Sequence, residues 1–171
     1  MLARRGLVAV AFATLLGLPA QAQSQTLNEL IESGRFEEAA ALAGNAGPEA
    51  AAEAARMIFN QAYTVGHQRR DFEYAIRGFS AGKQLVDMSH PLYEQLSFWH
   101  GFALYSQAID AQAAQTLASA EIALPMFEQA RILFAEAGDY PTTVNVNMNQ
   151  LLDATDTYIE IQNAVIRRGR G

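Results

Sequence analysis

Apolar positions recur at three- and four-residue spacing along most of this chain, a pattern that predicts helices joined by short turns. Leu27, Leu30 and Ile31 open one stripe. Residues 33–35 (SGR) interrupt it, and Phe36, Ala39, Ala40 and Leu42 resume it, so two short helices should meet at Gly34. Residues 43–49 (AGNAGPE) read as a turn, with Pro48 in the first turn of a third helix, where its missing N–H is tolerated. That helix should run to His67 or Arg69, burying Ala51, Ala55, Ile58, Phe59, Ala62 and Tyr63. A fourth begins near Asp71, a suitable cap, and ends at residues 87–91 (DMSHP). A fifth follows Pro91, with Leu92, Leu96, Trp99, Ala103 and Leu104 inward, and extends into the alanine-rich residues 108–121. The sixth spans residues 122–137, and Pro125 must mark its first turn or a kink. The last carries Met148, Leu151, Leu152, Thr155, Tyr158, Ile159, Val165 and Ile166. No segment alternates as a strand does, so the fold class expected is all-α.

The even-numbered helices share a further pattern, a trio at offsets of four and three. It reads Ala39, Ala43, Ala46, then Ala75, Phe79, Gly82, then Ala123, Phe127, Ala130, at intervals of 36 and 48 residues. Together with the phrases GRFEEAA (34–40) and FWHGFALYSQA (98–108), this resembles the tetratricopeptide repeat, a helix–turn–helix unit of about 34 residues with small residues where helices approach closely. Ala43 stands in place of an aromatic, and the third unit needs about a dozen extra residues, so the array is a degenerate one. The resemblance implies antiparallel helix pairs stacked as a short array with a C-terminal capping helix. It also implies that the first helices of successive pairs line a concave groove that grips a protein or peptide. Carried over to this chain, the groove residues are Gln95, Phe98, Phe102 and Tyr105 on the fifth helix. The third helix would supply Asn60, Tyr63 and His67, and the last Asn145 and Asn149. In that scheme Trp99 turns inward, and Phe79 and Phe127 are buried between neighbouring helices.

Residues 1–22 stand apart from this pattern. A basic start (MLARR), an apolar run shorter than the roughly 20 residues a spanning helix needs, and small residues at Ala20 and Ala22 read as a signal peptide cleaved before Gln23. The reading is therefore a signal peptide (1–22), one helical domain (23–166) and a basic flexible tail (167–171), exported to the periplasm or secreted, with no stable membrane anchor after cleavage.

Charge and chemistry narrow the function further. The 171 residues carry a formal charge of −6, and loss of Arg4 and Arg5 with the signal peptide makes it −8. An acidic surface argues against nucleic acid, whose phosphates are bound by clustered Lys and Arg. There is no cysteine, which excludes disulfides, thiolate metal sites and a lipid-bearing cysteine. The three histidines, His67, His90 and His100, are not spaced for one helix face, so no metal site is expected. No nucleophile elbow, phosphate loop or dinucleotide fingerprint occurs, and no two carboxylates are evidently paired across a cleft. The expectation is a protein without catalytic residues or cofactor, an adaptor or scaffold for a protein or peptide partner. The alternative is a helical bundle that binds a small apolar ligand between its helices.

Overall fold

The computed structural model describes residues 20–141 and 147–171, with side chains from Ser24 onward. Among these residues seven α-helices occur and no strand: α1 (Ala20–Glu32), α2 (Phe36–Gly44), α3 (Pro48–Gln61), α4 (Phe72–Lys83), α5 (Pro91–Gln112), α6 (Leu117–Ala137) and α7 (Met148–Arg170). The protein is all-α, built of adjacent helices packed in sequence. The apolar run of the expected signal peptide and Asn145 lie outside the described residues. Cleavage before Gln23 would remove only the first three residues of α1 and spare Leu27, Leu30 and Ile31, which hold it to the rest. Among the described residues no helix is long and apolar enough to cross a membrane.

Local chemistry accounts for most helix ends. Asp71 accepts the Tyr74 N–H and caps α4. His90 caps α5 through Nδ1, which accepts the Leu92 N–H at 3.2 Å, and Pro91 follows in the first turn. Thr116 and Ser119 form a reciprocal capping box, so α6 starts five residues before the expected Ile122. Pro125 consequently stands inside α6, on its exposed side, where the Glu121 carbonyl loses its helical partner next to solvent. Asn147 and Gln150 form a second capping box at α7.

The helices form two layers. The odd helices adjoin one another: α1 meets α3, α3 meets α5, and Gln162 of α7 donates to Gln112 of α5 at 2.5 Å. In the even layer α2 meets α4, and Lys83 of α4 pairs with Glu136 of α6. Between them lies the core. Its tightest approach is at Gly78, where a Cβ would stand 2.5 Å from Ala62 Cβ and 3.0 Å from the Phe36 ring, so α4 can sit this close only without a side chain there. Eight of the nine residues of the small–aromatic–small trios are buried, Phe79 and Phe127 fully. Ala46 departs because α2 ends at Gly44 and leaves it in the exposed turn.

The chain end corrects an expectation. Residues 167–170 are the last turn of α7 rather than a flexible tail, and Arg170 donates to Glu121 Oε1 at 2.6 Å. Gly169 packs so closely on α6 that a Cβ would meet the Leu117 side chain at 3.1 Å. The cationic turn also complements the negative end of the α7 dipole.

Candidate functional site

α5 is aromatic on more than one face, with Phe98, Trp99, Phe102 and Tyr105 within eight residues. Trp99 turns inward as expected, 4% exposed, and meets the Tyr63 ring edge-on at 4.7 Å. Phe98 does not line a surface. It is fully buried against Phe134 of α6, at 6.0 Å, and Tyr140, at 5.4 Å. Residues 98, 102 and 105 do share a stripe of the helix, but Tyr140, in the segment that leaves α6, lies over the first of them. Helical periodicity carries no information on what a later segment covers.

The other aromatic candidates come together. Tyr63 stacks on His67 at 5.7 Å, His67 meets Phe102 at 5.5 Å, and Phe102 stacks on Tyr105 at 6.4 Å. All four residues are half-buried, and their ring contacts form a continuous band where the end of α3 meets α5. The band continues through Tyr158 of α7, 5.8 Å from Tyr105 and stacked flat on Phe127 at 5.0 Å. Sequence reasoning placed Tyr158 on the apolar stripe of the last helix and missed its part in the band. Tyr105 is braced by Phe127 and Phe134 as well, so it supports the fold besides lining the surface. Burial, and then the neighbouring Tyr158, push its hydroxyl up to about 12, so it stays protonated and able to donate at physiological pH.

The polar candidates are more scattered. Asn60 is exposed one turn before Tyr63 and Thr64, and its carbonyl accepts the Thr64 hydroxyl. Gln95 is half-exposed in the first turns of α5. Asn149 is exposed at the start of α7, its N–H held by Asn147 Oδ1 at 2.7 Å, and it lines a pocket with Tyr140 and Leu152. It belongs to the α6–α7 end of the molecule.

An ion pair joins the α3–α4 turn to α5, in which Arg70 holds both oxygens of Asp110 at 2.9–3.0 Å. Both partners are more than half exposed, so the pair fixes geometry more than it stabilises. His100 lies on another side of α5, near the Lys83–Glu136 pair. Burial, then the Lys83 charge, lower its pKa to about 4, which keeps the imidazole neutral near pH 7.

Among the described residues no group of three or more His, Asp or Glu could hold a metal ion. No protein family, curated protein or solved structure matches the chain. Ring faces, tyrosine hydroxyls and uncharged amides can stack on apolar groups and exchange hydrogen bonds.

Proposed function

We propose that this protein is a non-enzymatic adaptor, exported after removal of residues 1–22 and working in the periplasm or outside the cell. It binds a protein or peptide partner through the odd-helix surface of a tetratricopeptide-like array. One observation carries the reading: Tyr63, His67, Phe102 and Tyr105, drawn from two helices, merge into a single half-buried aromatic band. Half-exposed aromatics that combine apolar area with a polar tip are the side chains enriched at protein interfaces. Asn60 and Gln95 flank the band with amide groups able to meet a partner's backbone. The first pair of helices would extend the surface, and α7 would cap it.

The test is capture of a partner by the mature chain from its host, followed by binding measurements with variants. Phe102→Ala should weaken capture by about 2 kcal/mol or more, as truncation of a central aromatic anchor does. Asn60→Ala should weaken it less, and Met88→Ala, in an exposed turn away from the band, should leave it unchanged. Binding that survives Phe102→Ala in a folded protein would remove the band from the account.

A second reading is favoured by one feature. A cavity of about 490 Å³ lies between α1, α2 and α3, walled by Leu27, Leu42, Ala43, Ala54 and Met57 with Asn28 and Glu53 among its polar groups. Its size falls in the range of small-molecule pockets. Native mass spectrometry of protein from the host separates the readings, because a retained small molecule favours the cavity and a retained polypeptide the band.

A further inference from the structure

α3 changes its winding where it reaches the aromatic band. Ala62–Gly66 is a π-helical turn and His67–Arg69 a 3-10 turn. Such π turns are uncommon and are frequent at functional sites. Packing holds this one in place. A Cβ at Gly66 would stand 2.8 Å from the Ala75 nitrogen, so α4 backbone lies directly against the turn. The Asp71 N–H donates to the Gly66 carbonyl at 3.0 Å and the Arg70 N–H to the His67 carbonyl at 3.1 Å, with Arg70 in the left-handed region at φ 62°.

At the junction sits His67, enclosed by four rings: Tyr63 at 5.7 Å, Trp99 at 4.9 Å, Phe102 at 5.5 Å and Phe72 at 6.0 Å. Its Nδ1 is buried and has no hydrogen-bond partner among the described residues. The charged groups on the surrounding elements are Arg69, Arg70 and Asp71 in the turn, Glu73, Arg77 and Lys83 on α4, and Glu94 and Asp110 on α5, with Lys83 paired to Glu136 of α6. Arg70 and Asp110 hold each other, Asp71 caps α4, and Arg77 lies over the Tyr74 ring. None of these groups hydrogen-bonds the imidazole. A second proton would thus create a cation in an apolar cage, with an N–H on Nδ1 that meets no acceptor.

We propose that protonation of His67 releases the turn at residues 62–69, so that the aromatic band it anchors rearranges in acid and re-forms at neutral pH. The switch is a property of the free protein. Only its bearing on partner capture rests on the reading above. Burial holds the His67 imidazole below its ordinary 6.5, so the folded state favours the neutral ring. The stability this represents is fully present above 6.5 and is lost as the pH falls through the lowered folded value. Burial lowers His100 as well, to about 4, and substitution of each histidine separates the two.

The chain has a single tryptophan, and it is Trp99, in edge contact with His67. Its fluorescence should titrate with a midpoint below 6.5. The titration should persist in His100→Gln and vanish in His67→Phe. Amide exchange at residues 62–69, corrected for its intrinsic pH dependence, should accelerate by at least ~10-fold on acidification through that midpoint in the wild type. In His67→Phe it should not. Should His67→Phe fail to fold, the imidazole resonances of the wild-type protein give the His67 titration directly, beside the exchange rates. Three results would overturn the proposal. One is a Trp99 titration that survives His67→Phe. Another is a His67 midpoint at or above 6.5, which would mean that the rings stabilise the cation instead. The third is a titration without faster exchange, a proton taken up while the turn stays closed.

Discussion

Phe79→Ala and Phe127→Ala should each lower the free energy of unfolding by about 3–5 kcal/mol, the usual effect of truncating an aromatic ring enclosed in a core. Both rings are fully buried, but they hold different parts of the molecule together. Phe79 projects from α4 to Phe59 of α3, at 5.6 Å, within the main core that also takes in Leu96 of α5. Phe127 projects from α6 into a smaller cluster with Ala108 of α5, where Tyr158 of α7 covers it face to face. Equilibrium unfolding in urea measures both, and losses below about 1 kcal/mol at the two sites would contradict their enclosure. A double-mutant cycle between Phe127 and Tyr158 should show coupling of about 0.5–1.5 kcal/mol, the contribution of a stacked pair beyond buried area.

The second large effect separates two neighbours on α5. Phe98→Ala should cost about 3–5 kcal/mol, because its ring has no exposed surface and Tyr140 closes over it. Phe102→Ala should cost only about 1–2 kcal/mol, since Phe102 keeps part of its surface in water in the folded state. The two differ by one helical turn. Denaturant midpoints at unchanged slope give the comparison, and equal costs would mean that Phe102 is a core residue and the band no surface at all.

How far the site could be read ahead of the structure follows the same division. Tyr63, His67, Phe102 and Tyr105 are among the groove positions that the repeat resemblance implies, and the structure brings their rings into contact. Phe98 was misplaced because its cover comes from Tyr140, forty-two residues later and in a segment without periodicity. Tyr158 was read as core alone, since only the packing of α7 against α5 and α6 brings its ring to the end of the band. The π turn before His67 has no signature in the residues 62–66 (AYTVG), which continue a helical stripe without a break. It arises where Gly66 must lie against the Ala75 backbone.

By itself the amino-acid sequence determined the helical class, the number of α-helices among the described residues and most of their limits. Those depend on interactions within a few residues: apolar stripes, caps such as Asp71, and prolines such as Pro48 and Pro91. It also determined the absence of thiol chemistry and the acidic balance, which composition alone decides. Only the tertiary structure decided which aromatics are covered, that the basic C-terminus is a docked helical turn, and that His67 is caged with an unpartnered nitrogen. Each of these depends on contacts between groups far apart in the chain, which nothing in the local pattern encodes.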